Sequence, residues 1–447
     1  MAKKTELALF GGPKSVTADV RDIFSWPIIT REDEEAALGV LRRGAMSGTD
    51  VTKEFEQDFR AWQGTKYALG CSSGTAALQL AMYGCGIGRG DEIIAPSLTY
   101  WATCLPVFSL GGTVVFAEVD PKTLCLDPRD VERRITPRTK AIVPVHLYGH
   151  PAEMDAIVAI AKKHGLKVIE DVSHAQGGLY KGRKLGAVGH VGAMSLMSGK
   201  SLAIGEAGIL VTDDRAIYER ACAFGHYERY QKTADVQDPE LQRFVGLPLG
   251  GFKYRMHQVS SAVGRVQLKH YDERCKEIRR AMNYFWDLLE GVQGVRAHRV
   301  PARGKSNMGG WYAAAGLYAP EELGGLSLTR FSEAMAAEGA PTSVGVNKPL
   351  HTHPLFNEAD VYGDGKPTRN AFSDRDLSQP KGSLPVTERA GARAFFVPWF
   401  KKYYPEIIEQ YAAAYSKVSR NYRELLKGDK GDPSEVGGWS AFRRYTR

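Results

Sequence analysis

A chain of 447 residues with 43% hydrophobic residues is too long for one compact core and suggests two domains, the first the larger. Its net charge of +8, 25% charged residues and 48 glycines fit a soluble globular protein with many tight strand-to-helix turns; the charge suits anionic small ligands, but no basic block interleaved with aromatics points to nucleic acid. Six cysteines without a CxxC pair indicate neither a zinc site nor a disulfide framework, the start lacks a signal peptide's apolar core, and no apolar run nears the ~20 residues of a membrane helix, so a reducing, cytoplasmic setting is predicted.

Residues 1–35 read as an arm containing Gly11-Gly12-Pro13 and Trp26-Pro27. Helical periodicity begins near Glu32 and breaks at Gly44; a second helix around Val51–Trp62 carries Phe55, Phe59 and Trp62 at helical spacing. Short apolar runs then predict strands at Tyr67–Gly70, Glu92–Ala95, Thr113–Ala117, Ala141–Val145, Lys167–Glu170, Gly192–Leu196 and Ile209–Thr212, with helices such as Thr75–Tyr83 and Met154–His164 between them. Seven such runs alternating with helices predict a mostly parallel sheet covered on both faces, filling 36–264, with ligands at the carboxyl ends of its strands. An amphipathic helix over Arg265–Glu290 is the expected hinge into a smaller domain, 265–425, and the polar, glycine-rich residues 426–447 read as a loosely held tail.

The motif that decides the chemistry is Ser195-Leu196-Met197-Ser198-Gly199-Lys200, taken with Glu170-Asp171-Val172-Ser173-His174 upstream. One strand delivers an Asp at its end, another a Ser and a Lys. Pyridoxal phosphate (PLP) needs those three groups: an amine to hold it, a carboxylate to keep its ring nitrogen protonated and a hydroxyl for its phosphate. Ser198-Gly199-Lys200-Ser201 also ends like a phosphate-cradling P-loop, but Met194 stands where that loop requires glycine. Gly84-Cys85-Gly86-Ile87-Gly88 follows a helix rather than a strand and reads as a helix terminator, not a dinucleotide fingerprint. In Cys71-Ser72-Ser73-Gly74-Thr75 a strand ends in small hydroxyl residues and a helix begins at once, leaving backbone N–H groups for a phosphate or simply a Ser/Thr cap. Tyr100 and Trp101 follow another strand end, where one ring could lie flat on a planar cofactor or both could be core. Lys253, Arg255 and His257 form a basic loop before the hinge helix; His351-Thr352-His353 lacks a third metal ligand nearby, so His351 is expected to face a substrate.

Together these segments, with Gly90-Asp91-Glu92, Thr136-Pro137-Arg138-Thr139-Lys140, Gly205-Glu206-Ala207-Gly208 and Lys348-Pro349-Leu350-His351, resemble the DegT/StrS-type sugar and cyclitol aminotransferases over about Phe10 to Arg423. The resemblance implies the α/β fold of fold-type I PLP enzymes, with a large seven-stranded α/β/α domain and a smaller α+β domain. It implies that Lys200 holds PLP covalently and shuttles protons, that Asp171 pairs with the pyridine nitrogen, and that His174 lies on the ring-hydroxyl side, where many relatives have glutamine. Tyr100 would stack on the ring; Gly74, Thr75 and Ser195 would hold the phosphate, and Lys253 would reach the phosphate of the partner subunit in a homodimer. Some relatives have lost this lysine to histidine and act as dehydratases, so the presence of Lys200 favours transamination, from glutamine or glutamate to a keto-cyclitol or keto-sugar. Ser201-Leu202-Ala203 after the lysine, and the Gly11-Gly12-Pro13 arm with Trp26-Pro27, are closer to the inosose aminotransferases than to nucleotide-sugar members. A nucleotide-keto-sugar aminotransferase, a PLP dehydratase or lyase, and a non-catalytic regulator are the alternatives. The stretch Asn357–Leu384 has no counterpart in the pattern.

Overall fold

In the computed structural model the described residues are 6–20, 22–229, 235–301, 304–434 and 436–438. The seven expected strands all form: β1 Tyr67–Cys71, β2 Glu92–Pro96, β3 Thr113–Ala117, β4 Thr139–Ile142, β5 Lys167–Asp171, β6 Val191–Ser195 and β7 Gly208–Thr212. They make one sheet in the order β1-β7-β6-β5-β4-β2-β3. Only β7 runs antiparallel to its neighbours. β4 departs from its expected bounds. Pro144, with no N–H to give, interrupts the ladder, although Val145 still bridges to Asp171.

Because helices cover both faces, most strand residues are buried on either side, which is why the sequence shows runs rather than alternation. Helix α1 (Arg31–Arg42) starts on a Thr30/Asp33 capping box, and α2 (Asp50–Gln63) stacks Phe55, Phe59 and Trp62 edge to face. Helix α3 (Gly74–Gly84) is almost wholly buried against the sheet; α4 (Met154–His164) and α5 (Arg215–Gly225) complete the cover.

Helix α6, Gln258–Leu288, begins earlier than the periodicity implied, capped by His257, and joins two cores. Leu268, Tyr271 and Cys275 pack in a core that includes the seven-stranded sheet, whereas Ile278, Met282, Phe285 and Trp286 pack in the second core. That core is covered by a three-stranded antiparallel sheet, β8 Val295–Ala297, β9 Ala315–Tyr318 and β10 Ala394–Phe396, and by helices α7 (Leu328–Ala337) and α8 (Pro405–Arg420). Among the described residues no helix is long and apolar enough to cross a membrane.

Two segments without a sequence signature have clear structural work. In 357–384, the Gln379 side chain pairs with the edge strand β3 as a neighbouring strand would: its Oε1 accepts the Phe116 N–H at 2.9 Å and its Nε2 donates to the Phe116 carbonyl at 2.8 Å. Buried Arg369 donates to the Val114 carbonyl and to Gln379. An open sheet edge is thereby covered. The second segment corrects the expectation of a loose tail for its first residues; residues 439–447 of that expected tail lie outside the described residues. Asp429 accepts from Ser327, and Asp432 accepts from the Leu328 and Thr329 N–H groups, so two carboxylates occupy the start of α7, where unpaired N–H groups and the positive dipole end favour them.

Candidate active site

Helix α3 begins where β1 ends. Ser73 caps it, accepting from the Ala76 N–H at 3.1 Å. The next residue must be glycine: a Cβ at Gly74 would lie 2.6 Å from Cβ of Ser195, at the end of β6. Gly74, Thr75 and Ser195 thus meet at one helix N-terminus, a geometry that suits a phosphate group.

Strand β5 sends its two acids to opposite faces. Glu170, fully buried, accepts from His146 and from the N–H groups of Gly186, Val188 and Gly189, and serves the fold. Burial opposes its charge, yet these bonds hold its carboxyl below the usual range. Asp171 points the other way. Its carboxylate is fixed by the Thr103 hydroxyl at 2.7 Å and the Ser173 N–H at 3.0 Å.

Lys200 is only 8% exposed. Burial pushes its ammonium down to about 8, against a smaller upward pull from Asp171. Its Nζ lies 4.1 Å from the centre of the Tyr312 ring. His174 is held well below its usual value by burial and then by the charge of Lys200, so the imidazole is neutral beside the amine. Its ring stacks on Tyr148 at 5.6 Å and 15° and contacts Tyr312 at 4.8 Å. Tyr148 is a non-glycine residue at φ 52°, a strained conformation kept where it supports the site. Tyr100 is half-buried and packs against Trp101.

The expected residues therefore divide. Lys200, Asp171 and His174 share one cage, with Gly74, Thr75 and Ser195 at a helix end against it and Tyr100 near Tyr312. His351 does not face a substrate: it is fully buried, Nδ1 bonded to Ser97 Oγ at 2.7 Å and Nε2 to Glu388 at 2.9 Å, with no ring nitrogen left over. Lys253 is exposed, next to Tyr254, whose carbonyl accepts the Ser72 N–H.

Sequence reasoning missed Tyr312 and Tyr148, which wall the cage, and the role of Trp26, whose indole donates to the Lys200 carbonyl at 2.9 Å. It also missed Gln176, which takes a bond from the Ser201 hydroxyl and gives one to the Ser195 carbonyl, tying the segments on either side of Lys200 together. The pair Trp26-Pro27 was visible as a motif, but nothing local to it indicates a contact with residue 200.

A buried amine of lowered basicity, a fixed carboxylate and a small-residue helix end fit PLP in all three of its demands. The sequence profile of the DegT/DnrJ/EryC1/StrS aminotransferase family matches residues 27–409. The chain belongs to that family. Its members are PLP-dependent transaminases, and this chain carries their fold. An L-glutamine:2-deoxy-scyllo-inosose aminotransferase of Streptoalloteichus tenebrarius is 34% identical over 416 residues, 90% of this chain and 95% of that protein. A dTDP-3-amino-3,4,6-trideoxy-alpha-D-glucose transaminase of Streptomyces venezuelae is 35% identical over 81% of this chain and 90% of its own. Among solved structures, an aminotransferase from Psychrobacter cryohalolentis superposes with a TM-score of 0.76 at 27% identity, covering 89% of this chain and all but 1% of the other (99% covered).

Proposed function

We propose that this aminotransferase moves an amino group from glutamine or glutamate to a keto-cyclitol, in two half-reactions that share Lys200. The observation that carries the reading is the buried Lys200 amine, pushed down to about 8 within a cage that also holds Asp171 and His174. An ordinary surface lysine is protonated at neutral pH and cannot accept a proton; Lys200 holds a useful neutral fraction and can act at Nζ as base and then as acid. Bound PLP supplies the electron sink that makes the carbon next to the transferred nitrogen acidic.

The protein's own groups do the rest. Asp171, held by Thr103 and Ser173, keeps a negative charge fixed where the pyridine nitrogen needs a counter-charge. Neutral His174, stacked on Tyr148 and in tilted contact with Tyr312, offers a hydrogen bond without adding a charge beside Lys200. Gly74, Thr75 and Ser195 seat the phosphate, and Tyr100 packs on the ring. Exposed Lys253 is assigned to the phosphate of the partner subunit in a homodimer; a hydroxyl-rich acceptor and an amino acid are the small-molecule partners.

Support for a cyclitol comes from the inosose relative, matched over 90% of this chain. The Streptomyces venezuelae relative supports the second reading, a nucleotide-linked keto-sugar. Product analysis tests the reaction class: one keto acid should appear for each amine formed. Product release without stoichiometric consumption of the amino donor would mean a lyase or dehydratase instead.

A further inference from the structure

The turn at 309–313, which leads into β9, departs from ordinary backbone: Gly309 sits at φ 59°, Trp311 at φ 55° and Ala313 at φ 53°. Glycine adopts that left-handed region freely. A buried tryptophan and an alanine do so only where the surroundings over-determine them, and such positions gather at working sites. The turn is pressed against the segment that carries Lys200. The Gly310 N–H donates to the Gln176 carbonyl at 3.2 Å, and a Cβ at Gly310 would lie 2.4 Å from Cβ of Ser201. Between the two strained residues stands Tyr312, only 5% exposed, with Lys200 Nζ 4.1 Å from its ring centre.

Both ends of Lys200 are held by aromatics that touch one another. At the backbone, the Trp26 indole donates to the Lys200 carbonyl at 2.9 Å; at the amine, the Tyr312 ring receives Nζ. Trp399, just after β10, links the two. Its ring meets Tyr312 edge to face at 5.6 Å and 88° and lies 6.1 Å from Trp26, and its N–H donates to the Gly310 carbonyl at 3.1 Å. The arm, the small domain and the strained turn thus converge on one lysine. Charged and titratable groups around Nζ include Asp171 from β5, His174 from the turn after it and Tyr312, with Tyr100 beyond Tyr312 and Lys401 against the Trp399 ring. Tyr312 keeps its proton, since burial and then Tyr100 raise its hydroxyl. It therefore offers the amine a ring face rather than a counter-charge, and a ring face favours the ammonium over the neutral amine.

We propose that Tyr312 is a positioning residue for proton transfer, its ring face steadying the Lys200 ammonium between the moment it takes a proton and the moment it returns it. A carboxylate in that place would fix the proton on Lys200; a ring face stabilises the charge by less and leaves the proton transferable. The strain in the turn is the means by which the ring is aimed at Nζ. The inference rests on the aminotransferase reading above and adds a residue that acts through Lys200.

The test compares Tyr312→Phe, which keeps the ring face, with Tyr312→Leu, which removes it, in the full-length chain. The first readout needs neither PLP nor substrate: the pH dependence of acetic anhydride labelling of Lys200 in the PLP-free protein, followed by mass spectrometry of the peptide that carries it. Expected is a midpoint of about 8 in the unaltered protein, within about 0.3 pH units of that in Tyr312→Phe, and about one pH unit lower in Tyr312→Leu. In the holoenzyme, Tyr312→Leu should slow both half-reactions about tenfold, because they share Lys200, with KM for glutamine and for 2-deoxy-scyllo-inosose within about twofold; Tyr312→Phe should stay within about twofold throughout. Should Tyr312→Leu not fold, Tyr312→Met fills the space without a ring and takes its place. An unmoved midpoint or an unchanged rate in the ring-less variant, a Tyr312→Phe as impaired as Tyr312→Leu, or a raised KM with kcat retained would overturn the proposal. A donor half-reaction absent from the unaltered protein would refute the aminotransferase reading itself, whereas the labelling midpoints depend on neither cofactor nor substrate.

Discussion

The carboxyl ends of β5 and β6 and the C-terminal region 343–438 are held by opposite means. At the strand ends, Asp171, Ser195 and Lys200 are delivered by backbone register, and Lys200 is kept buried at a protonation cost. In 343–438 the backbone itself is held by distant side chains: Gln379 and Arg369 complete the edge of β3, and Asp429 and Asp432 complete the start of α7. The first region stores free energy for chemistry, whereas in the second these side chains satisfy groups that would otherwise cost stability. Substitutions should therefore separate activity from stability in opposite directions.

The largest effect is expected at Lys200. Lys200→Met should lower turnover by at least roughly 10³-fold, the scale of losing a general acid–base group, while the PLP-free protein becomes more stable. The sign follows from the lowered pKa. Below about 8 the buried amine is charged in both folded and unfolded states, and burial works against folding. Between about 8 and the ordinary lysine value of 10.5, the unfolded chain binds the proton and the folded chain does not, so stability rises with pH. Across that window the unaltered protein should gain on the order of 3 kcal/mol relative to Lys200→Met. Denaturant midpoints at pH 7 and pH 10 measure it; a gap between the two proteins that does not close with pH would remove the claim that the lysine is held at a cost.

Asp171→Asn should be next, with kcat down roughly 10²-fold, as for loss of one preorganised electrostatic partner, and little change in melting temperature. An amide keeps the size and most of the bonding of the group but not its charge. Full activity in this variant would reassign Asp171 to the fold.

Gln379→Ala should invert the pattern. It strands the Phe116 N–H and carbonyl on the edge strand, a loss of about 2–3 kcal/mol for buried unpaired backbone groups, and reopens an edge to intermolecular pairing. Thermal melts and light scattering should show lower stability and more aggregation, with kcat per folded molecule unchanged. A melt indistinguishable from that of the unaltered protein would mean that 357–384 does not close the edge.

This contrast also explains what was legible in the sequence. The seven strands, the bounds of α4 and the convergence of Asp171, Ser195 and Lys200 follow from short-range pattern: apolar runs, turn glycines and the rule that ligands gather at strand ends. His351 shows where that reasoning fails. An imidazole in a polar loop looks like a substrate contact, and only the fold reveals Ser97 and Glu388 closing on both its nitrogens. Gln379, Asp429 and Asp432 failed for the same reason: each acts on a backbone far away in sequence, and a lone amide or carboxylate gives no local sign of its partner. The tail read as loose because it is polar and rich in glycine. Its glycine at 437 instead permits an approach to the Val346 carbonyl that no other residue allows.

The central claim is that Lys200 holds PLP and passes it through a donor half-reaction, and near-visible absorbance of the purified protein tests it most directly. Protein supplied with PLP should absorb in the near-visible range, bleach on addition of glutamine or glutamate, and regain the band when 2-deoxy-scyllo-inosose is added; Lys200→Ala should not complete that cycle. A protein that gains no such band with PLP, or a Lys200→Ala variant that cycles at the unaltered rate, would contradict the account.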